Sequence, residues 1–305
     1  MLDIKIKGIE FENKNMYEAI VDSFHNIYLP ALIKDIDISC LAFISFTDTL
    51  SKDIHDFQTF HGIAITGLTD DNHGVAWGKS IQYGDNYAIF IKIEALKVII
   101  NQNSTNEQKL FIINLIHHEL CHIHDFQQNA RIIESIKSRG NGHDLYTAIN
   151  LWQEYIANRL SAYSLPHSTN YSLEAILDNY KSISGDIKQA IDTYRSNGDA
   201  SNLYNEVHIT FGQHFIFSCC YSFGFLDELV KDRGKISTLM AEYLGDIDIS
   251  FIEPIHDELI LLFNKYPNWQ SKTELIGLSD AYYNSWEMIG INVIQGDNGF
   301  YIGLL

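Results

Sequence analysis

Cysteine and proline are scarce in this sequence, and basic side chains are outnumbered by acidic ones. There are four cysteines and four prolines in 305 residues, and no Cys-x-x-Cys pair occurs. The cysteines therefore do not indicate a zinc ribbon or a thioredoxin-type redox site, and we expect reduced thiols in the cytoplasm. The 21 Lys and Arg residues against 39 Asp and Glu residues give a net charge of −18. This charge repels phosphate backbones and anionic headgroups, so we expect no nucleic-acid or membrane partner.

The sequence also lacks signals for export or membrane insertion. Its first residues, MLDIKIKGIEFENK, contain no basic region followed by an apolar run, so we expect no signal peptide. Residues 209–226 are apolar over a length that raises the question of a membrane span. They include Gln213 and His214 and have no basic flank, which favours a buried core helix. Because we expect no signal peptide, we expect a cytoplasmic protein.

The order of apolar patterns predicts an α+β protein with a small sheet first and helices after it. Residues 14–32 have the composition of a helix. Clusters of β-branched and aromatic residues then predict strands over 38–46, 60–69, 74–83 and 87–94. After residue 100 the sequence is helical in character, with later helices expected over 173–180, 185–196, 203–231, 236–244 and 255–266. We expect one domain over 1–166 and a mostly helical lobe over 167–305, separate or packed as one unit with the first.

Residues 104–126, STNEQKLFIINLIHHELCHIHDF, carry the pattern with the clearest chemistry. Ser104 and Glu107 fit a Ser-x-x-Glu capping box, which predicts the start of a helix. Within that helix, His118-Glu119-Leu120-Cys121-His122 is an HExxH motif. Side chains four residues apart lie on one face of a helix, so both imidazoles can bind one metal ion, with Glu119 beside it as general base. The alternative is a buried helix with two hydrogen-bonded histidines and an ion-paired glutamate.

A catalytic zinc ion needs a third protein ligand and one open coordination position. The metzincin pattern HExxHxxGxxH does not occur, because Asp and Gln stand at positions 125 and 128. Glu154 is the better candidate, since it lies in a predicted helix over 146–165 among apolar neighbours. A carboxylate in such surroundings needs a partner, and a metal ion can be that partner.

The pairing of HELCH with the later segment EYIANRLSAYSLP resembles the gluzincin metallopeptidases, most closely the ImmA/IrrE type. The second motif of that family has the form Glu-x-x-Ala-Asn-x-Phe-Ala, followed by a Leu-x-Pro-like end. Glu154, Ala157 and Asn158 match this form, while Leu160 stands where Phe is common. The resemblance covers residues 38–166.

This resemblance implies a zincin-like fold in which a small mixed sheet precedes the HExxH helix. It also implies one zinc ion per chain, bound by His118, His122 and Glu154, with Glu119 as general base. The implied activity is hydrolysis of a protein substrate, such as a regulator or repressor. Members of the family often carry a helix-turn-helix segment, which this sequence does not show. The oligomeric state stays open.

Supporting roles in catalysis are assigned to a second set of residues. Ligand histidines usually donate their other N–H to a carboxylate or carbonyl, and Asp125 and Asn158, each one turn after a ligand, are the candidates for this contact. A hydrogen-bond donor for the developing oxyanion is also needed. The candidates for that donor are Tyr163, Tyr204, His208 and His214. His117 and His124 point to other faces of the helix and are expected not to bind the metal.

The predicted strand over 87–94 has a possible role in substrate binding. Tyr87, Ile89 and Ile91 alternate with other residues at period two, which predicts a strand with one buried face. As an edge strand it could pair with an extended substrate, and as an interior strand it could not. Both alternatives are open at this point.

Three other functions compete with a cytoplasmic peptidase. The chain could be a non-catalytic regulatory or scaffold module that retains the metal-binding fold, in which case replacement of Glu119 would leave function intact. It could be a secreted proteolytic effector or toxin, because secretion routes without a cleavable leader leave no signal in the sequence. It could also be a small-molecule amidase on the same metal site, which dependence on substrate length would separate from a peptidase.

Overall fold

The structure, a computed structural model, describes residues 2–11, 14–65, 70–71, 74–137, 143–165, 169–245, 249–296 and 299–305. Of these residues 69% are helical, and a small mixed sheet accompanies the helices, so the α+β class is confirmed. The chain separates into two compact units, Met1–Gln127 and Gln128–Leu305. The predicted domain boundary after residue 166 stays a prediction.

The first unit contains the sheet and the helices that cover it. Its strands are β1 (Asp3–Ile6), β2 (Leu41–Thr47), β3 (Asp70–Asp71), β4 (Gly74–Val75), β5 (Gly78–Tyr83) and β6 (Asn86–Lys92). Its helices are α1 (Lys14–Ser23), α2 (Leu29–Leu32), α3 (Leu50–His61), α4 (Ile93–Ile100) and the first part of α5 (Asn106–Lys137). A π-helical turn, Phe24–Tyr28, joins α1 to α2, so the helix predicted over 14–32 is confirmed.

The four-stranded sheet has the order β1-β2-β6-β5. Strands β1, β2 and β6 are parallel, whereas β5 pairs with β6 in the antiparallel sense. Strand β6 is therefore an interior strand and β5 is an edge strand. The prediction that residues 87–94 could be a substrate-binding edge is wrong, because hydrogen bonds to β2 and β5 occupy both sides of β6.

Burial of β6 differs from the predicted single face. Tyr87, Ile89 and Ile91 belong to the core that includes Ile116 and Leu120 of α5. Ala88 and Phe90, on the other face, pack with Leu50 and Ile54 of α3. Helix α3 covers this second face, and the sequence analysis missed that helix. Strands buried on both faces are apolar at nearly every position rather than at alternate ones.

The predicted strand over 60–69 is wrong where the structure describes it. Phe60 and His61 form the last turn of α3, which ends at Gly62 in the left-handed conformation with φ of 64°. Residues 63–65 have no regular structure, and residues 66–69 lie outside the described part of the chain. The strand predicted over 74–83 corresponds to β4 and β5, and the last predicted strand gives way to α4 at Ile93.

The second unit is mostly helical and ends in a hairpin. It holds the end of α5, then α6 (Leu145–Ser161), α7 (Thr169–Asn197), α8 (Ala200–Val207), α9 (Phe217–Leu229), α10 (Arg233–Leu244), α11 (Glu253–Lys265) and α12 (Ile276–Asn284). The hairpin strands β7 (Ile291–Gly296) and β8 (Gly299–Leu304) were not predicted. A π-helical segment, His208–Ile216, joins α8 to α9. Within the described ranges, no helix is long and apolar enough to cross a membrane.

Helix α6 carries Glu154, and α9 packs closely against it. Gly224 of α9 makes this approach possible, because a Cβ atom there would lie 2.3 Å from the Tyr155 carbonyl oxygen. A buried polar network joins the same helices to α11. The Tyr155 hydroxyl donates to Asp227 Oδ2 at 2.6 Å, and His256 Nε2 lies 2.9 Å from Asp227 Oδ1. Arg159 contacts both Tyr155 and Asp227.

Candidate metal centre

The capping box at the start of helix α5 lies one residue later than predicted. The reciprocal bonds of the box are made by Thr105 and Gln108. The Thr105 N–H donates to Gln108 Oε1 at 2.9 Å, and the Gln108 N–H donates to Thr105 Oγ1 at 3.2 Å. The predicted pair Ser104 and Glu107 is therefore wrong by one position. From this cap α5 runs through the HExxH motif, with Ile112, Ile116 and Leu120 in the core of the first unit.

The two motif histidines face each other from consecutive turns of α5. Their Nε2 atoms are 2.9 Å apart, and the side chains are only 7% and 9% exposed for His118 and His122 respectively. The possible ligand atoms of His118, His122 and Glu154 all lie within 4.8 Å of one another. The structure thus brings together the three residues that the sequence analysis proposed as ligands, within ligand distance of a single ion.

The donor set fits a zinc ion. Two nitrogens that bind one zinc at tetrahedral angles lie about 3.3 Å apart, close to the separation of the two Nε2 atoms. Burial and the neighbouring His118 hold the pKa of His122 well below its ordinary value. The imidazole is therefore neutral, which is the form that binds metal ions. Two imidazoles and one carboxylate match the His₂Glu ligand sets of catalytic zinc sites.

Glu119 is buried beside strand β5, with 7% of its surface exposed. The Ser80 hydroxyl donates to Glu119 Oε2 at 2.6 Å. Burial raises the pKa of the Glu119 carboxyl to about 7, although hydrogen bonds from Ser80 and the positive charge of Lys79 act to lower it. A carboxyl group with a pKa near 7 can both accept and donate a proton at neutral pH.

The two residues predicted to support the ligands are both buried. Asp125 is completely buried, and its charge contributes to raising the pKa of the Tyr87 hydroxyl. Asn158 Nδ2 donates to the backbone carbonyl oxygen of Glu154 at 3.0 Å, which is a contact within α6 rather than one to the Glu154 carboxylate. Their roles at the metal centre stay predictions.

The four predicted oxyanion donors lie in different surroundings. Tyr163 is 47% exposed, and His214 is buried in the π-helical segment. The Tyr204 hydroxyl lies 2.7 Å from that of Tyr283, and His208 Nδ1 lies 3.0 Å from the Tyr282 hydroxyl. These contacts place Tyr204 and His208 in an aromatic cluster of the second unit. The assignment of an oxyanion donor stays a prediction.

Two further histidines and one cysteine lie within or beside the HExxH motif. His124 Nδ1 accepts the backbone N–H of Asp37 at 2.9 Å. His117 and Cys121 are completely buried. Of these residues, none belongs to the group of possible ligands around Glu154.

The part of β5 that contacts Glu119 was not predicted from the sequence. The strand was predicted within residues 74–83, but nothing in the spacing of Gly78, Lys79 and Ser80 shows that they reach a helix almost forty residues later. This contact depends on how the edge strand lies against α5, which is a tertiary feature.

Comparisons of the chain with protein-family models, curated proteins and solved structures found no match.

Proposed function

We propose that this chain is a zinc-dependent metallopeptidase of the gluzincin type, similar to the ImmA/IrrE family, which hydrolyses peptide bonds of a protein substrate. The observation that supports this proposal is the convergence of His118, His122 and Glu154, with the buried Glu119 next to the first ligand. A helix with merely hydrogen-bonded histidines would not require a glutamate from α6 at the same point. The resemblance of the two sequence motifs supports the same activity.

The chain's own residues have distinct tasks in this reaction. His118, His122 and Glu154 would hold the ion. When bound, zinc supplies Lewis acidity, which polarises a carbonyl oxygen and makes water acidic near neutral pH. The Glu119 carboxylate accepts the proton of the attacking water and passes it to the leaving amine nitrogen. Its burial suits this task, because a carboxyl with a pKa near 7 exchanges protons readily in both directions.

Strand β5 is the proposed binding element for extended substrate. It is an edge strand of the four-stranded sheet, and its Ser80 contacts the proposed general base. An extended peptide that adds to this edge would lie antiparallel or parallel to β5 with its backbone near Glu119. We therefore propose that substrate pairs with β5 and not with residues 87–94.

Metal content tests the ligand set directly. We expect about one zinc ion per wild-type chain by inductively coupled plasma mass spectrometry, and loss of most of it in Glu154→Gln. Glu154→Gln keeps the size of the side chain while it removes the charge. As a control, Glu119→Gln should keep its zinc, because Glu119 is not a proposed ligand. A folded wild-type chain that stays free of zinc after zinc is supplied would refute the proposal.

Activity separates a peptidase from its alternatives. Wild-type protein should cleave a protein or long-peptide substrate, and Glu119→Gln should reduce kcat by several orders of magnitude while it keeps the metal. If Glu119→Gln retained full biological function, the chain would be a non-catalytic module. If only short amides were cleaved, without dependence on length, the chain would be a small-molecule amidase.

Peptides with N-methylated backbone amides test the role of β5. Residues of an added strand direct their amides alternately towards and away from the sheet edge. N-methylation should therefore raise KM at every second position of the peptide and leave it almost unchanged at the positions between. Equal effects at successive positions would count against pairing with β5.

A further inference from the structure

Two residues of β5, Ser80 and Gly78, lie against the carboxylate of Glu119. Ser80 and Gly78 are two residues apart in the strand and therefore lie on the same face. The Ser80 hydroxyl donates to Glu119 Oε2 at 2.6 Å and also lies 3.3 Å from the Glu119 backbone carbonyl oxygen. Ser80 thus contacts both the side chain and the backbone of the proposed general base.

Gly78 lies beside the other oxygen of the same carboxylate. A Cβ atom at this position would lie 3.1 Å from Glu119 Oε1 and 3.3 Å from its Cγ. Such contacts are tighter than ordinary van der Waals contact, so the carboxylate would have to shift by a few tenths of an ångström. Glycine at this position leaves the space next to Oε1 open, while serine two residues later binds Oε2.

We propose that Ser80 is a positioning residue for Glu119. Its hydroxyl fixes Glu119 Oε2, so that Glu119 Oε1 is the oxygen that accepts the proton of the attacking water. This inference rests on the proposed peptidase function. In the proton-transfer step an O–H bond of water breaks, an O–H bond to Oε1 forms, and the proton later moves to the nitrogen of the broken peptide bond. The Ser80 hydroxyl keeps its own proton throughout.

The geometry explains why this contact serves the reaction. A glutamate side chain has several rotatable bonds, and the orientation of its carboxylate is free unless a donor holds it. Loss of the hydroxyl would let both oxygens rotate and would weaken the alignment that proton transfer requires. The metal ligands do not depend on this hydroxyl, so metal binding should survive its removal.

The test compares Ser80→Ala, Ser80→Thr and Gly78→Ala with wild type in the full chain. Ser80→Ala should lower kcat about 10- to 100-fold, the range found when contacts that orient active-site groups are removed, with KM and zinc content unchanged. Ser80→Thr restores a hydroxyl at the same position and should recover most of kcat. Gly78→Ala should lower kcat because its methyl group displaces Oε1. Ser184→Ala, which removes an exposed hydroxyl bonded to the Lys181 carbonyl oxygen, is the matched control and should change nothing.

A second measurement detects the hydrogen bond without substrate. With ¹³C-labelled glutamate carboxylates, the infrared band absent from Glu119→Gln identifies Glu119, and Ser80→Ala should shift that band whereas Ser184→Ala should not. The proposal is overturned if Ser80→Ala keeps full kcat, leaves the band in place or loses its zinc. A zinc-loaded wild type that cleaves no peptide would instead overturn the peptidase function itself, and with it this role of Ser80.

Discussion

Asp227 is the residue on which a buried polar network of the second unit depends. Its two carboxylate oxygens accept hydrogen bonds from Tyr155 and His256, and the Arg159 guanidinium lies 3.4 Å away. The Asp227 and His256 side chains are 7% and 1% exposed respectively. Removal of one member of such a network leaves the others buried without their partner, which costs more than the loss of an exposed ion pair.

We therefore expect Asp227→Ala to lower the free energy of unfolding by about 3 kcal/mol, as measured by urea denaturation. Asp257→Ala is the matched control, because Asp257 pairs with Arg233 in a contact whose aspartate is 65% exposed. That change should cost less than about 1 kcal/mol. Equal losses in the two variants would contradict a special role for the buried network.

The surroundings of His208 should make the free energy of unfolding depend on pH. Burial lowers its pKa in the folded chain below the ordinary value of 6.5, although the charge of Asp144 acts to raise it. Below pH 6.5 His208 binds a proton more readily in the unfolded chain than in the folded chain. The free energy of unfolding therefore falls as the pH decreases towards the pKa of His208 in the folded chain.

His208→Gln removes this titration and keeps a polar side chain. We expect wild type to lose more unfolding free energy than His208→Gln when the pH is lowered from 7.5 to 5, as urea denaturation at several pH values would show. The remaining histidines are common to both proteins, so they cancel in the comparison. Parallel curves for the two proteins would contradict the lowered pKa.

At the scale of elements, two glycines within helices have opposite surroundings. Gly224 of α9 lies against the backbone of α6, where an added Cβ would meet the Tyr155 carbonyl oxygen at 2.3 Å and the Arg159 nitrogen at 2.9 Å. Gly185 of α7 has no atom within 4 Å of the same position. One glycine is thus required by helix packing, and the other only weakens its helix.

We expect Gly224→Ala to destabilise the protein by about 1–3 kcal/mol, because the two helices must move apart. Gly185→Ala should stabilise it by about 0.5–1 kcal/mol through the higher helix propensity of alanine. Thermal unfolding monitored by circular dichroism would show a lower midpoint for the first variant and a higher one for the second. A rise in both midpoints would mean that α9 is not in close contact with α6.

Some of the helices and strands could be predicted from the sequence, and others could not. Helices with regular apolar spacing were found, including residues 14–32 and helices α8 to α11 of the second unit, whereas α12 was not predicted. The predicted break before Gly185 is absent, since α7 continues through Thr169–Asn197. Helix α3 was missed because its few buried positions, Leu50, Ile54 and Gln58, give only a weak pattern. Burial of β6 on both faces depended on that missed helix, so it could not be predicted from the strand alone.

At the scale of the whole molecule, the excess of acidic side chains should affect the choice of substrate by the proposed peptidase. A net charge of −18 produces a negative potential around the chain, which favours approach of basic peptide segments. We expect kcat/KM at low ionic strength to be about tenfold higher for a lysine-rich peptide than for its glutamate-rich counterpart. The ratio should decrease at 0.5 M salt, where charges are screened within a few ångströms. A ratio independent of salt would indicate that local contacts decide the preference.

The three proposed ligands of the candidate site were predicted from the sequence, whereas the residues around them were not. His118 and His122 follow from helix periodicity, and Glu154 from the chemistry of a carboxylate among apolar residues and from the family resemblance. The structure brings these three together. Ser80 and Gly78 could not be identified, because pairing of β5 with β6 and its position beside α5 arise only in the folded sheet. Periodicity reports which face of an element is buried, but not which neighbour covers it.

The topology of the sheet also has a consequence for the order of folding. Strands β5 and β6 are joined by the tight turn at Gly84 and Asp85, so this hairpin can form within microseconds from residues that are close in sequence. The parallel pairs β1–β2 and β2–β6 join segments separated by helices α1 to α3, and they must close much longer loops. The sheet should therefore assemble in two stages, with the strand that bears Ser80 already paired before the parallel strands arrive.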